Sequence, residues 1–210
     1  PLTRGYIDHD SKTQFYEKMR ANGFPVPRSL TTNDPVQAEL FLQQYPKAVV
    51  KPAVGVGSTR LVRREDRARV EEIRACPVLL QERLEGQTVR VHIVGDTVVL
   101  ALRIITDAAG VDSRTGSQQF EYVKLPDAVE RDMVRANRFL GLHYAAWDIL
   151  ATTTGEHLYL DCNPGPYVMW IGPHFVQVVF RQLAIYMVTF ARSGSLQDAA
   201  AAITPWVEKT

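Results

Sequence analysis

The sequence predicts an α+β fold made of two small lobes. Helical and strand patterns follow one another in mixed order along the 210 residues. Two hairpins, over 48–62 and 88–106, favour mainly antiparallel sheets. A bend over 84–87 separates the hairpins, so we expect one lobe at 1–83 and the other at 84–210. A hydrophobic content of 46% is enough to give both lobes a core.

Capping signals place the helices of the first lobe. Ser11 can cap a helix that runs to about Asn22, where Gly23 ends it. Asp34-Pro35 starts a second helix, because aspartate is a good cap and proline suits the first turn. The elements expected after it are a strand at 48–51, a glycine-bearing loop at 52–59, a returning strand at 60–62, a charged helix at 65–74 and a buried strand at 77–81.

The second lobe begins with the longer hairpin and ends with an apolar helix. Its elements in order are the hairpin at 88–106, a polar loop at 107–119, a helix at 126–140, a pair of acidic strands at 146–150 and 158–163, a loop rich in Gly, Pro and aromatic residues, and a helix at 175–192. The sequence leaves open whether the last helix packs internally or pairs with a second copy in a homo-oligomer.

Composition excludes several classes of partner. The 24 basic and 23 acidic side chains leave a net charge of +1, so no global field attracts nucleic acid or an anionic membrane. We count no apolar run near the roughly 20 residues that span a bilayer. The only cysteines, Cys76 and Cys162, suit a reducing cytoplasm. The chain starts at Pro1 without a signal-peptide pattern, and we expect it to be part of a longer protein.

Three oxygen-bearing side chains on the acidic strands form a candidate metal site. Asp161 and Asn163 are two residues apart and share one face of a strand, and a hairpin would bring Asp148 alongside them. Mg²⁺ prefers such hard oxygen ligands. Cys162 between them should point to the opposite face, into the core. The alternative, a strand end followed by an ordinary turn, stays open on these residues alone.

The longer hairpin predicts a pair of neighbouring arginines. With Gly95-Asp96 as a two-residue turn, the register pairs Thr88 with Arg103 and puts Arg90, His92 and Arg103 on one face. Two guanidinium groups this close favour a phosphate or carboxylate between them. A solvated polar face is the alternative. The residues expected on the opposite, core face are Val89, Val91, Ile93, Val98, Leu100 and Leu102.

The glycine-bearing loop is a weaker signal for phosphate. Residues 55–59 lack the Gly-Lys-Ser/Thr ending of a P-loop and lie between two strands. Their backbone N–H groups could still close over an anion that Lys51 reaches from the preceding strand. Lys12 adds to this, because a lysine in the first turn of a helix opposes the helix dipole unless an anion is near. A plain turn and a solvated lysine remain the alternatives.

In this order the motifs resemble the ATP-grasp superfamily, and within it the carboxylate–amine ligases that add glutamates to a ribosomal protein or crosslink microviridin-type peptides. No single motif is specific, but the ordered set covers almost the whole chain. The matching segments are Asp10-Ser-Lys12, Gly23-Phe-Pro-Val-Pro27, Val49-Val-Lys51-Pro52, Gly55 with Gly57, Leu80-Gln-Glu82, 86–90, Val94-Gly95-Asp96, Leu140-Gly-Leu142, Asp148 and Asp161-Cys-Asn163-Pro164. The resemblance implies two α+β lobes with ATP bound between them.

The resemblance also implies which residues bind the nucleotide. It assigns the ATP phosphates to two lysines and the glycine-bearing loop, and adenine to the segment between the lobes. The phosphate residues are Lys12, Lys51, Gly55, Gly57, Ser58 and Thr59, and the adenine residues are Gln81, Glu82 and Leu84.

Metal and catalytic roles follow from the same resemblance. Asp148, Asp161 and Asn163 would hold Mg²⁺, or Mn²⁺ in its place, between the phosphates of ATP. Arg90 matches the family's arginine near the transferred phosphoryl group, and Arg103 joins it through the hairpin register.

The implied reaction joins a carboxylate to an amine or a hydroxyl. The carboxylate of a small molecule or peptide attacks the γ-phosphoryl group of ATP, and the acyl phosphate that forms is then attacked by the second substrate. Asp112 and Arg114 lie in a loop that resembles a substrate-contacting segment, and His92 could assist proton transfer from the arginine face. The alternative is a nucleotide-binding or peptide-recognition module without chemistry.

Two departures from the family pattern, at Thr88 and at the start of the chain, motivate that alternative. Thr88 stands where relatives usually carry an acidic residue for the ribose hydroxyls, and Asp161 stands in place of a glutamate. Relatives also have an N-terminal domain before the first lysine, which these 210 residues lack.

Overall fold

The structure is a computed structural model that describes residues 11–53, 58–107 and 115–207. Contacts divide these residues into two units. The N-terminal unit comprises the described residues within Asp8–Gly86 and Thr106–Gln118, and the C-terminal unit those within Gln87–Ile105 and Gln119–Thr210. The expected division at residue 83 remains a prediction. By contacts, the N-terminal unit extends to Gly86, and the described part of 106–118 also belongs to it.

A four-stranded sheet with helices forms the N-terminal unit. The strand order is β1-β4-β2-β3, and the β1–β4, β2–β4 and β2–β3 pairs are antiparallel. The elements are α1 (Lys12–Ala21), β1 (Ser29–Thr32), α2 (Pro35–Gln44), β2 (Ala48–Pro52), β3 (Arg60–Leu61), α3 (Arg64–Ala68), a 3₁₀ helix (Val70–Ala75) and β4 (Val78–Glu82).

Both predicted helix caps are confirmed. The Gln14 N–H donates to the Ser11 hydroxyl at 3.4 Å, and the Val36 N–H donates to the Asp34 carboxylate at 2.9 Å. The charged helix at 65–74 is only partly right, because it is broken into α3 and the 3₁₀ helix. Strand β1, which follows two prolines, was not predicted.

The two faces of the N-terminal sheet have different neighbours. Buried Ala48 and Leu80 pack against Ala38 and Leu42 of α2. Because strand side chains alternate, Lys51 lies on the other face. The hydrogen bond between Lys51 and a tyrosine of α1 places α1 on that second face. Lys51 therefore belongs to a polar cluster under α1, away from the apolar core beneath α2.

The C-terminal unit is a five-stranded sheet with order β7-β6-β5-β8-β9. The β5–β6 and β8–β9 hairpins are antiparallel, which confirms the expected α+β class with mainly antiparallel sheets. The elements are β5 (Gly86–Val94), β6 (Thr97–Thr106), β7 (Gln118–Tyr122), α4 (Asp127–Phe139), β8 (Tyr144–Thr152), β9 (His157–Asn163), a 3₁₀ helix (Met169–Ile171), α5 (Pro173–Ser193) and α6 (Leu196–Ala201). Strand β7 and helix α6 were not predicted.

A β-bulge changes the register of the β5–β6 hairpin. The predicted turn is confirmed, since Val94 pairs with Thr97 across Gly95-Asp96. The register then shifts between His92 and Ile93, so that His92 faces Leu100 instead of Val99. One extra residue on β6 moves every later side chain of that strand to the other face. Leu100 and Leu102 therefore lie on the same face as His92 and Arg90, although all six residues predicted to be core are buried.

Helix α5 packs one face onto the C-terminal sheet. Val176, Val179 and Tyr186 share a buried cluster with Leu100 and Leu102 of β6. The helix has 21 residues and, by length and composition alone, is apolar enough to cross a bilayer. Core helices of water-soluble proteins pass the same test, so this helix does not contradict the expectation that the chain has no membrane span.

Replacing Gly95 by alanine should destabilise the C-terminal unit. Its φ is +57°, and an added Cβ would lie 3.0 Å from Cε2 of Tyr186 and 3.1 Å from Cβ of Ala200. We expect a loss of about 1–3 kcal/mol in the free energy of unfolding, measured by urea titration. Gly155→Ala is the matched control, because its φ is +89° but no described atom lies within 4 Å of the added Cβ. Equal losses in the two variants would contradict the steric part of this explanation.

Candidate functional site

The β8–β9 hairpin brings the three predicted metal ligands to one face. Asp148 lies directly opposite Asp161, and Asn163 lies opposite Ala146. Residues that face one another across strands, and residues two apart along a strand, share a face. The expectation that a hairpin would bring Asp148 alongside Asp161 and Asn163 is confirmed.

The arrangement of these side chains fits a divalent cation. Two carboxylates directly opposite one another have Cβ atoms about 5 Å apart and repel each other unless a positive charge lies near. Asp148 and Asp161 are only half-buried, so both keep access to a ligand. No group of three or more His, Cys, Asp and Glu side chains within the described ranges could hold a metal. A metal here would take two carboxylates and the Asn163 amide oxygen, a set of hard donors that suits Mg²⁺.

Arg90 forms an ion pair with this group. Its Nε donates to Oδ1 of Asp148 at 2.8 Å and its Nη2 to Oδ2 at 2.6 Å, a bidentate geometry. The guanidinium also lies 4.6 Å from the ring centre of Trp170. Burial alone would lower the pKa of Arg90, but the charges of Asp148 and, further off, Asp161 raise it overall. Arg90 therefore stays charged although it is 9% exposed.

The predicted clamp of two arginines is wrong. Because of the β5–β6 bulge, Arg90 faces Leu102 and Arg103 faces Val89. Leu102 and Arg103 are neighbours along β6, so the two guanidinium groups leave the sheet on opposite faces. Arg103 is exposed and forms an ion pair with Glu121 at 3.7 Å. The observed register therefore gives no geometric support for a catalytic role of Arg103.

His92 is a buried neutral histidine. It is 0% exposed, its Nδ1 lies 3.3 Å from the Tyr144 hydroxyl, and its Nε2 has no partner among the described residues. Burial, with a smaller contribution from Arg90, lowers the pKa of His92 from 6.5 to about 3. The imidazole stays neutral near pH 7, so the expected roles in proton transfer and substrate contact are not supported.

Burial of neutral His92 makes stability depend on pH. Its pKa is about 3 in the folded protein and 6.5 in the unfolded chain, so between these values only the unfolded state binds the proton. The free energy of unfolding should therefore fall as the pH falls, by about 2 kcal/mol from this residue between pH 7 and pH 5.

Urea titrations at both pH values measure this effect. We expect His92→Gln to lose less stability on acidification than the unsubstituted protein. His174→Gln, a change at an exposed histidine, should keep the original pH dependence. An unchanged pH dependence in His92→Gln would contradict the assignment.

Cys162 belongs to the core, as expected. It is 1% exposed and lies opposite the fully buried Trp147 in the β8–β9 register. Burial raises the pKa of its thiol well above the usual value, with the charges of Asp161 and Asp148 adding to the shift. A buried thiol that stays protonated is a poor nucleophile, so Cys162 is a core residue that takes no part in chemistry.

Lys51 is held in the N-terminal unit by two hydrogen bonds. Its Nζ donates to Oε1 of Gln81 at 2.8 Å and to the Tyr16 hydroxyl at 3.3 Å. Gln81 is 3% exposed, and its Nε2 donates to the Ser29 hydroxyl at 2.9 Å. An ammonium group has three N–H donors, so one remains for an anion. Gln81 fixes this lysine, and its expected role at adenine remains a prediction. Neither Tyr16 nor Ser29 was predicted to belong to this cluster.

Glu82 is bound to backbone at the end of β4. Its Oε1 accepts a hydrogen bond of 2.7 Å from the Arg28 N–H, and its own N–H donates to the Arg28 carbonyl at 2.9 Å. The side chain therefore closes the end of the β1–β4 pair, and its expected role at adenine remains a prediction.

The other predicted nucleotide and substrate residues are placed less informatively. Lys12 is the first residue of α1, and Lys12, Leu84 and Thr59 are half-buried while Ser58 is exposed. The predictions that lie outside the described residues concern Gly55, Gly57, Asp112 and Arg114.

Comparison with known proteins identifies related chains. A family profile described as an ATP-grasp domain matches residues 9–138. The tetrahydromethanopterin:alpha-L-glutamate ligase of Methanocaldococcus jannaschii is 23% identical over 168 residues, which cover 73% of this chain and 57% of that protein. The chain spans about half the length of the curated relatives it matches, at 57% and 40%.

Solved structures show the same fold. The ATP-grasp ligase PsnB, complexed with a phosphomimetic variant of its minimal precursor, Mg and ADP, is 34% identical with a TM-score of 0.73, over 80% of this chain and 54% of that one. The macrocyclase MdnC of Microcystis aeruginosa, bound with precursor peptide MdnA, is 23% identical with a TM-score of 0.71, over 86% and 62%.

Proposed function

Because this chain belongs to the ATP-grasp family, we propose that it is an ATP-dependent ligase that activates a substrate carboxylate as an acyl phosphate and joins it to an amine or a hydroxyl. The observation that carries this proposal is the placement of Asp148, Asp161 and Asn163 on one face of the β8–β9 hairpin. These residues lie beyond the segment that the family profile matches, so they support the assignment independently. The products would be ADP, phosphate and the joined substrates.

Different residues would bind the metal and the phosphates of ATP. In the C-terminal unit, Asp148, Asp161 and Asn163 would hold Mg²⁺, which offsets phosphate charge, and Mn²⁺ suits the same oxygen donors. In the N-terminal unit, Lys51 would donate its remaining N–H to a phosphate, with Lys12 as a second cation. Phosphoryl transfer asks a protein mainly for positioning and charge, so no covalent nucleophile is needed.

We propose an amino acid or a peptide with a carboxylate as the substrate. Three relatives support this class: the M. jannaschii protein is named as a glutamate ligase, and PsnB and MdnC are named with precursor peptides. A cytoplasmic location would supply ATP and Mg²⁺ and keep Cys76 and Cys162 reduced.

Mass spectrometry distinguishes the two product classes. The full-length protein would be incubated with MgATP and peptides rich in Asp, Glu, Lys, Ser and Thr. Loss of one water from a single peptide indicates intramolecular crosslinking, whereas addition of residues indicates ligation of an amino acid. Nucleotide binding without ADP release or a mass change, across a broad set of peptides, would contradict the ligase and favour a non-catalytic binding module.

A further inference from the structure

We propose that Arg90 is a built-in counter-ion that makes metal binding at Asp148 and Asp161 depend on the nucleotide. The inference rests on the proposed function, because it takes these carboxylates as metal ligands. It gives Arg90 a role that differs from direct stabilisation of the transferred phosphoryl group. The guanidinium would keep the affinity for a divalent cation low until phosphates bring further negative charge.

Arg90 offsets part of the negative charge of the metal-ligand group. Asp148 and Asp161 face one another across β8 and β9. Arg90 contacts both oxygens of Asp148 at 2.6 and 2.8 Å, so the three side chains carry a net charge of −1 instead of −2. A cation that arrives without nucleotide meets the fixed positive charge of Arg90 next to one of its ligands, which weakens its binding.

Arg90 is held in place by its position in the sheet and by its neighbours. It lies on β5, an inner strand between β6 and β8, and its side chain is 11% exposed while that of Asp148 is 19% exposed. The ring of Trp170 covers the guanidinium at 4.6 Å, a cation–π geometry. Moving Arg90 away would break a nearly dry, bidentate ion pair, which is costly. The guanidinium therefore stays beside the metal ligands when a cation approaches.

The guanidinium of Arg90 has N–H donors that Asp148 does not use. A guanidinium has five N–H groups, and Asp148 accepts from two of them. The other donors can take a phosphate oxygen without giving up Asp148. A nucleotide would then offset the charge of Arg90 and add its own oxygens to the metal, so metal and nucleotide each raise the affinity of the other.

The test is Mn²⁺ binding with and without ADP. Free Mn²⁺ is measured by electron paramagnetic resonance in titrations of the full-length protein, the Arg90→Gln variant and the Arg103→Gln variant. Without ADP we expect Arg90→Gln to bind Mn²⁺ on the order of tenfold more tightly than the unsubstituted protein. With ADP present, the difference in Mn²⁺ affinity between Arg90→Gln and the unsubstituted protein should be smaller. Arg103→Gln removes the same charge from the opposite face of the sheet and should change neither affinity.

Two results would overturn the inference. If Arg90→Gln binds Mn²⁺ as weakly as the unsubstituted protein, or more weakly, in the absence of ADP, Arg90 orients Asp148 and does not compensate its charge. If no protein binds Mn²⁺ even with ADP, the metal role in the proposed function fails as well. A double variant with Asp161→Asn and Arg90→Gln should lose the tighter Mn²⁺ binding expected of Arg90→Gln. That loss would assign the bound ion to this site. Arg90→Met, with the same prediction, replaces Arg90→Gln if that variant does not fold.

Discussion

Asp161→Asn should lower the rate of ADP release by about 100-fold or more. The substitution keeps the size of the side chain but removes one of the two carboxylates that face each other in the β8–β9 hairpin. A metal ion contributes several kcal/mol to charge stabilisation in phosphoryl transfer, and each 1.36 kcal/mol corresponds to about tenfold in rate. The measurement is ADP release by the full-length protein with MgATP and a peptide substrate.

The stability of the same variant separates a ligand role from a structural one. The substitution relieves repulsion from Asp148 but weakens the attraction to Arg90, so we expect the free energy of unfolding to change by less than about 1 kcal/mol. Glu156→Gln is the matched control, because Glu156 lies exposed in the turn of the same hairpin. We expect that control to keep full activity. Normal ADP release by Asp161→Asn would contradict the metal site.

Lys51→Met should weaken nucleotide binding by about 10- to 100-fold. Methionine keeps the apolar part of the side chain but removes the ammonium group that Gln81 and Tyr16 hold in position. A hydrogen bond to a charged group contributes about 1.5–3 kcal/mol, which sets this range. Calorimetric titration with ADP and Mg²⁺ measures the affinity.

A nearby lysine provides the control for this substitution. Lys47 is exposed just before β2, so Lys47→Met changes the net charge equally without touching the polar cluster. Lys51→Met should also lose about 1–3 kcal/mol of stability, because Oε1 of buried Gln81 loses its donor. Equal ADP affinities for Lys51→Met and Lys47→Met would show that Lys51 is a structural residue only.

The sequence predicted the metal-ligand register correctly because the signal is local. Asp161 and Asn163 share a face through the period of two in any strand, and Asp148 needs only a hairpin to join them. The same reasoning failed for Arg103. Its face depends on the bulge between His92 and Ile93, and no residue type at that position reports an inserted residue on the partner strand.

Contacts between distant parts of the chain were also beyond sequence reasoning. Gln81 and Lys51 are 30 residues apart, and Tyr16 and Lys51 are 35 apart. Spacing along one strand or helix cannot reveal such pairs. The contact of Trp170 with Arg90 was also not predictable, because it depends on how the segment after β9 folds back over the sheet.

Isotope transfer tests the central claim, carboxylate activation by ATP, most directly. The full-length protein is incubated with MgATP and acidic peptides whose carboxyl oxygens carry ¹⁸O, and the released phosphate is analysed by mass spectrometry. An acyl phosphate intermediate transfers one carboxylate oxygen to phosphate when the amine or hydroxyl attacks. We therefore predict phosphate with one ¹⁸O atom for each product formed. Joined product accompanied by unlabelled phosphate, or binding of ATP without release of phosphate, would contradict the claim.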